Sequence, residues 1–335
     1  PLLAQVEGDL QLEKTLRLFR RREMIRIAWR DLSGWADLFS TMAELTALAE
    51  ACIESALSHL DGQLSCRYGV PLNEDGERQR LVVIGMGKLG GEELNFSSDI
   101  DLIFAYPQNG ETAGAELSIS NEEYFMRLCR WLIQALGKVT EDGFVFRVDV
   151  RLRPFGENGP LAMSFSAMEH YYQQQGREWE RYAWIKARVV AGDRQAGQQM
   201  LDQLNPFVYR RYLDFGAFES LRDMKQRITL EVKRKGLKGD IKLGRGGIRE
   251  IEFFGQVFQM IRGGINPILQ QRSILAVLKI LASGQFVPED VCLSLKSAYI
   301  FLRNLEHRLQ EFSDKQTHQL PTDHADRQRL AFAMG

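Results

Sequence analysis

Residues 83–104 decide the fold, and they read VIGMGKLGGEELNFSSDIDLIF. A short buried-strand pattern runs from Leu81 to Ile84. It is followed by a glycine-rich turn, a short helix and a second strand pattern from Ile100 to Phe104. A helix is predicted near Asn121 to Leu136, and a third strand over Phe144 to Leu152. These segments predict a core of mixed strands and helices.

The glycines of this stretch match Gly-x-Gly-x-x-Gly after a strand, the pattern of dinucleotide-binding folds. Such a fold needs a full helix after the glycines and an acidic residue roughly 20 positions further on, at the end of the second strand. Here Asp99 comes nine residues after Gly90 and opens the strand. A P-loop also needs Gly-Lys-Ser/Thr, which this turn lacks. The spacing therefore disfavours both nucleotide-binding folds.

Two aspartates open the second strand. Asp99 and Asp101 are two positions apart, so they point to the same face, about 6.6 Å apart at ~3.3 Å per residue. Asp149 lies on the polar side of the third strand, whose apolar residues occupy the even positions. Three arginines share that side: Arg147, Arg151 and Arg153. Three carboxylates of this kind hold two Mg²⁺ ions about 3.5–4 Å apart in phosphoryl-transfer sites. We therefore predict Asp99, Asp101 and Asp149 as catalytic residues and metal ligands.

Each motif by itself has a plainer interpretation. An aspartate flanked by arginines can form a solvated salt-bridge ladder, and Asp-x-Asp can close a turn; their combination with the glycine turn favours a site. The backbone N–H groups of such a turn suit phosphates. The predicted nucleotide- and phosphate-binding residues are Gly87, Lys88, Gly90, Gly91, Ser98, Arg151, Arg153, Lys186 and Arg188. Lys242 and the glycines at 244–247 precede a helix, and they fit either an anion site or an ordinary connection.

Composition excludes several function classes. The chain has 335 residues, with 43 Lys and Arg against 44 Asp and Glu and a net charge of -1, so it lacks the basic excess of a general nucleic-acid binder. No run approaches the roughly 20 apolar residues of a membrane span. The four cysteines and five histidines show no zinc spacing. We expect a cytoplasmic protein, cut from a longer polypeptide because the chain begins at Pro1 and stops in an apolar-periodic run.

The predicted organisation has three parts: an N-terminal helical region at 1–75, a catalytic core at 76–190 and a helical bundle at 191–335. Helices are predicted at 9–31 and 36–66, and only helical patterns follow Ser164. One of these later helices covers Trp179 to Val190, with Trp179 in the core and Lys186 and Arg188 able to reach a nucleotide. Another covers Phe215 to Lys235. The first helix carries six arginines, which fit solvated positions on a packed helix or contact with a polyanion.

Four motifs together resemble the glutamine synthetase adenylyltransferase family, bacterial enzymes with two nucleotidyltransferase domains in tandem. The first is the glycine turn with Ser-Asp-x-Asp-Leu at 98–102. The others are VDVRLRPFG at 148–156, WERYAWIKAR at 179–188 and KLGRGGIREIEF at 242–253. One such set is present, so the chain corresponds to one half of the tandem. Lys88 and the LRLFRRR helix at 16–22 resemble the N-terminal, adenylyl-removing half.

The resemblance implies an α+β fold: a nucleotidyltransferase core like the DNA polymerase β palm, with N-terminal helices and a C-terminal helical bundle. It implies deadenylylation by phosphorolysis, in which phosphate attacks AMP on a glutamine synthetase tyrosine and releases ADP. The implied cofactor is Mg²⁺, as two ions, and the implied partners are adenylylated glutamine synthetase, the PII signal protein, phosphate and ADP, without nucleic acid or membrane.

Two alternatives stay open. The chain could be the adenylylating half, which binds ATP and releases pyrophosphate, or a catalytically idle docking module for PII or glutamine signals. Intact Asp99, Asp101 and Asp149 argue against an idle site.

Overall fold

The computed structural model describes residues 9–211, 239–311 and 317–335, with a few isolated positions between 219 and 230. Its helices are α1 Asp9–Leu32, α2 Leu38–Tyr68, α3 Gly87–Gly90, α4 Asn121–Gly137, α5 Phe165–Gln175, α6 Glu178–Trp184, α7 Arg194–Val208, α8 Ile248–Arg262, α9 Ile274–Ser283, α10 Glu289–Glu311 and α11 His324–Met334. Its strands are β1 Val70–Pro71, β2 Val82–Gly85, β3 Asp99–Tyr106, β4 Thr112–Ala113, β5 Arg147–Asp149, β6 Ala162–Ser164 and β7 Arg188–Gly192. Helices combined with small sheets give the α+β class that the sequence predicts.

The longest strand, β3, organises the main sheet. On one side it pairs antiparallel with β2, which pairs antiparallel with β7. On the other side, β5 and β6 pair parallel with successive stretches of β3. The short strands β1 and β4 form a separate antiparallel pair. The sheet therefore brings β5 beside the first residues of β3.

The two faces of β3 enter different cores because side chains alternate along a strand. Ile100, Leu102 and Phe104 are buried against α1, α2 and α4. Ile103 and Ala105 are buried on the opposite face, against side chains from α5, α6 and α7. By the same alternation Asp99 and Asp101 begin that second face, where they are half-buried. The carboxylates thus occupy the uncovered end of a face that is packed further along.

The largest covering helix, α2, lies against α4 and β7. The Asp37 side chain caps its start by accepting from the Ser40 N–H at 2.7 Å. The helix ends at Gly69, whose φ of +84° suits glycine. A Cβ there would lie 2.3 Å from the Ala113 carbonyl oxygen. Gly69 therefore allows the chain to leave the helix directly into the pairing of β1 with β4.

The prediction of helices alone after Ser164 is wrong. The segment predicted as one helix from Trp179 to Val190 divides into α6 and the strand β7, so the predicted domain boundary at 190 falls inside a strand. Val189 and Val190 are β-branched and buried, and Val189 pairs with Ile84 where β7 joins β2 as an outer strand of the sheet. Sheet pairing overrides the local helical pattern here.

Trp179 is also not a core residue, since 39% of it is exposed. In the short helix α6 the buried positions are instead Glu180, Arg181 and Trp184. Arg181 donates to the carbonyl oxygens of Phe207 and Val208, and Glu180 accepts from the Tyr171 hydroxyl at 2.9 Å. Glu180 and Arg181 can be buried because their charged groups are hydrogen-bonded. The sequence pattern instead predicts that Trp179 is the buried residue of this segment.

Two further differences concern charge and strand length. Arg17 on α1 is 1% exposed and donates to the carbonyl oxygens of Glu13, Lys138 and Gly143, so it is not solvated. The strand predicted over 144–152 is shorter in the structure, where it is β5, Arg147–Asp149.

The helix predicted over Phe215 to Lys235 lies outside the described residues. Among the helices that are described, none is both long enough and apolar enough to cross a bilayer.

Candidate active site

The three predicted carboxylates lie side by side. In the parallel pairing of β3 with β5, Asp99 lies opposite Arg147, and Asp101 lies opposite Asp149. An open cleft of about 580 Å³ is formed over this edge. Its lining residues are Asp99, Arg147, Val148, Asp149, Val150, Arg151, Arg153 and Glu157. The fold therefore joins two sequence motifs about 50 residues apart into one charged surface.

Asp101 is the most electrostatically strained of the three. Burial, together with the nearby charges of Asp149 and Asp99, raises its pKa to about 6, while the Lys242 ammonium opposes this shift. Asp149 has the opposite shift: the Arg151 guanidinium, which donates to it at 2.9 Å, holds its pKa below the ordinary value. Asp99 pairs with Arg147 at 3.1 Å. Asp99 and Asp149 thus each pair with an arginine, whereas Asp101 is repelled by the negative charges of both.

All three side chains offer carboxylate oxygens, the ligands that Mg²⁺ prefers in proteins. Among the residues that the structure describes, however, no three acidic, histidine or cysteine side chains converge as a ready metal site. Arg147 and Arg151 account for this arrangement, because they hold Asp99 and Asp149. Divalent-cation binding at this edge would require those carboxylates to exchange an arginine for the ion.

The raised pKa of Asp101 predicts a pH dependence for metal binding. A cation binds the ionised carboxylate, so protons compete with it below about pH 6. We expect the affinity for Mg²⁺ to fall about tenfold per pH unit below that value and to change little above about pH 7. Calorimetric titration at several pH values measures this. The Asp101→Asn protein should bind Mg²⁺ weakly at every pH; a flat profile in the unmodified protein would contradict the shift.

The predicted glycines have two different surroundings. A Cβ on Gly87 would lie 3.0 Å from Asp101 Oδ2, so this residue faces the carboxylates. A Cβ on Gly90 would lie 1.9 Å from the Lys186 carbonyl oxygen, and one on Gly91 would lie 3.2 Å from Glu93 Oε2. Gly90 is therefore required for packing against the chain before β7. The Met86 N–H also donates to the Asp101 carbonyl at 2.9 Å, which fixes the turn to β3.

This difference predicts a large packing cost at Gly90. We expect Gly90→Ala to lower the free energy of unfolding by about 1–3 kcal/mol, because the backbone must move to admit the methyl group. Gly62 on α2 has open space and serves as control, and Gly62→Ala should stabilise by roughly 0.5–1 kcal/mol. Urea denaturation of both variants measures the difference. Equal effects of the two substitutions would contradict the close contact.

The remaining predicted binding residues are held by protein groups. Ser98 Oγ accepts from the Arg147 guanidinium at 3.1 Å. Arg153 donates to the carbonyl oxygens of Val150, Glu157 and Gly159. Arg188 donates to the carbonyl oxygens of Leu89 and Gly90 and pairs with Glu50. These contacts are structural, and nucleotide binding by these residues stays a prediction.

The two lysines point into the helical part of the chain. Lys88 Nζ lies 2.7 Å from Glu306 Oε1, and burial lowers the pKa of Lys88 to about 8. Lys186 Nζ lies 2.6 Å from both Glu93 Oε2 and Glu252 Oε1. Sequence reasoning missed Glu93 and Glu306 because their partners are remote in the chain. The charge of Lys242 lowers the pKa of Asp101, and an anion site at 242–247 stays a prediction.

The chain is similar to two families of known proteins. A family model described as glutamate-ammonia ligase adenylyltransferase matches residues 1–203. The chain belongs to this family. A second model, described as PII-uridylyltransferase, matches residues 222–335. The two aspartate motifs and both predicted lysines lie within the matched residues 1–203.

Curated relatives of this family chain carry the name bifunctional glutamine synthetase adenylyltransferase/adenylyl-removing enzyme. The relative from Nitrosococcus oceani is 59% identical over 334 residues, which are 99% of this chain and 34% of that protein. The relative from Pseudomonas aeruginosa is 56% identical over 326 residues, 97% of this chain and 33% of that protein. The chain thus spans about a third of the length of these relatives.

Proposed function

We propose that this chain removes adenylyl groups from glutamine synthetase by phosphorolysis, as the adenylyl-removing half of a bifunctional enzyme. The observation that carries the proposal is the register that sets Asp101 beside Asp149, with Asp99 on the same face. Family membership supports nucleotidyl transfer, and the name of the relatives includes adenylyl removal. The polymerase β-like palm is part of the same proposal, with β3 and β5 as its carboxylate-bearing strands.

Two Mg²⁺ ions would be held by Asp99, Asp101 and Asp149. The donor set fits, since hard oxygen ligands are present and the repulsion that raises the pKa of Asp101 would be relieved by a cation. When bound, the metal would supply charge neutralisation for the phosphoryl oxygens. Asp149 would exchange Arg151 for the ion. The Arg151 guanidinium, 69% exposed at the cleft, would then be free to bind phosphate through two N–H donors.

The chemistry needs positioning more than a strong base. An oxygen of inorganic phosphate attacks the α-phosphorus of tyrosine-bound AMP, and a new P–O–P bond forms as the bond to the tyrosine oxygen breaks. The phenolate leaves and takes up a proton, because the phenol pKa is near 10. Phosphate is already anionic at neutral pH, so the residues required are those that orient it and offset its charge. The products are ADP and unmodified tyrosine.

The direction of the reaction rests on the resemblance of the Lys88-bearing turn and the arginine-rich α1 to the N-terminal half. The second family model names PII-uridylyltransferase, which supports a region related to PII-dependent enzymes and PII as a partner. The test incubates the chain with adenylylated glutamine synthetase, Mg²⁺ and ³²P-labelled phosphate. We expect label in the β-phosphate of ADP. Release of AMP without phosphate would indicate hydrolysis, and pyrophosphate formation from ATP and unmodified synthetase would indicate the adenylylating half.

Arg151 gives a prediction specific to phosphorolysis. Because its guanidinium is the exposed cation beside Asp149, we expect Arg151→Ala to raise the KM for phosphate about 10-fold or more, the loss of roughly one charge-assisted contact. Arg329 is a matched control, with 68% of its side chain exposed and an aspartate partner on α11. Steady-state rates against phosphate concentration measure both variants. An unchanged phosphate KM in Arg151→Ala would contradict the assignment.

A further inference from the structure

A buried ionic network joins the glycine turn to the helical part of the chain. It contains three cations and three carboxylates, with between 0% and 20% of each side chain exposed. Its members are Lys88, Glu93, Lys186, Glu252, Arg303 and Glu306. The first three lie in the segment matched by the adenylyltransferase model, and the other three in the segment matched by the PII-uridylyltransferase model. The network therefore crosses the junction between the two segments.

Glu306 on α10 is its central acceptor. Its side chain is fully buried, and it pairs with Lys88 at 2.7 Å through Oε1 and with Arg303 at 3.2 Å through Oε2. His318 Nδ1 also lies 3.2 Å from Oε1. Although burial opposes ionisation, the charges of Lys88 and Arg303 hold the pKa of Glu306 well below its ordinary value. Glu306 is thus an ionised group whose partners are fixed by geometry.

The Lys88 end of this pair lies one residue from the carboxylate site. A Cβ on Gly87 would lie 3.0 Å from Asp101 Oδ2, and the Met86 N–H donates to the Asp101 carbonyl oxygen at 2.9 Å. Arg303 supports the other end of the turn, since it donates to the Glu93 carbonyl oxygen at 2.6 Å. Two side chains of one helix turn therefore hold both ends of the segment 87–93 against β3.

We propose that Glu306 is a positioning residue: through Lys88 it holds the glycine turn against Asp101, so that α10 sets the competence of the carboxylate site. The inference rests on the proposed function for its activity readout. The ion pair also connects the helical region to the carboxylate site, because a displacement of α10 would separate Glu306 from Lys88 in the glycine turn. Supporting side chains of this kind typically change activity or metal affinity by about 10- to 100-fold when they are lost.

The test compares Glu306→Gln with Glu311→Gln. Glu311 is the control, a buried carboxyl group on the same helix that pairs with Arg308 instead of the glycine turn and whose pKa is raised by burial to about 8. Amide hydrogen exchange over residues 82–93 reports the turn directly and independently of activity. We expect Glu306→Gln to accelerate exchange in this segment, to weaken Mn²⁺ binding and to lower adenylyl removal about 10- to 100-fold. Glu311→Gln should leave all three within twofold.

If the Glu306→Gln protein does not fold, a charge-balanced double variant tests the proposal instead. Lys88→Met with Glu306→Gln removes both charges, so stability should recover while exchange in the turn and turnover remain impaired. Unchanged exchange and turnover in folded Glu306→Gln would overturn the proposal, as would equal losses in Glu311→Gln. If the unmodified chain removes no adenylyl group, the proposed function fails by itself. The exchange and Mn²⁺ measurements then decide on Glu306: shifts confined to its variants support the positioning role, and their absence overturns it.

Discussion

Asp101→Asn is expected to lower turnover at least about 1000-fold while leaving the fold intact. Asp101 lies between Asp99 and Asp149 in the strand register, so its loss removes the central carboxylate of the proposed metal site. The substitution preserves side-chain volume and removes a group that burial and two neighbouring carboxylates already strain. Rates of adenylyl removal and thermal unfolding are measured on the same preparation.

Asp202→Asn is the matched control, because Asp202 is an exposed aspartate on α7 that accepts from Gln198. It should retain full turnover. An active Asp101→Asn protein would contradict the placement of the site. A collapsed melting transition would show that Asp101 is needed for the fold instead of the chemistry.

Lys186→Met is expected to have the largest effect on stability. Lys186 lies 2.6 Å from both Glu93 and Glu252, and 7% of its side chain is exposed. Without it two largely buried carboxylates face each other unpaired, which costs about 3–5 kcal/mol when a buried pair is broken. Urea denaturation measures the free energy of unfolding.

Lys138→Met is the control for this effect. Lys138 pairs with Glu13 but is 44% exposed, so its loss should cost about 0–1 kcal/mol. Similar losses in the two variants would contradict the importance of burial. A stable Lys186→Met protein with a raised KM for adenylylated glutamine synthetase would instead support the sequence-based prediction that Lys186 contacts the nucleotide.

The carboxylate edge could be predicted because short-range periodicity determines it. Asp99 and Asp101 share a face by strand alternation, and the apolar even positions around Asp149 indicate the same arrangement on a second strand. The periodicity of a sequence does not show which strands pair with each other. The parallel register of β3 with β5, which sets Asp101 beside Asp149, comes from tertiary packing.

The strand β7 and the buried charges could not be predicted for related reasons. Residues 179–190 are compatible with one continuous helical pattern. Pairing with β2 makes the last part of this segment the strand β7 instead of an extension of α6. Lys88 and Lys186 look like free surface cations in sequence, because their acceptors Glu306 and Glu252 lie 218 and 66 residues further along. Charged residues are buried where the fold supplies partners, and a single sequence does not show which residues those are.

The most direct test of the carboxylate site is anomalous scattering from crystals of the chain soaked in Mn²⁺. We expect anomalous density within coordinating distance of Asp101 and Asp149, with Arg151 displaced from Asp149. In crystals of Asp101→Asn treated in the same way, that density should be lost or strongly reduced. Manganese bound elsewhere, or bound at this edge equally in both proteins, would contradict the assignment of these carboxylates as the metal-holding centre of nucleotidyl transfer.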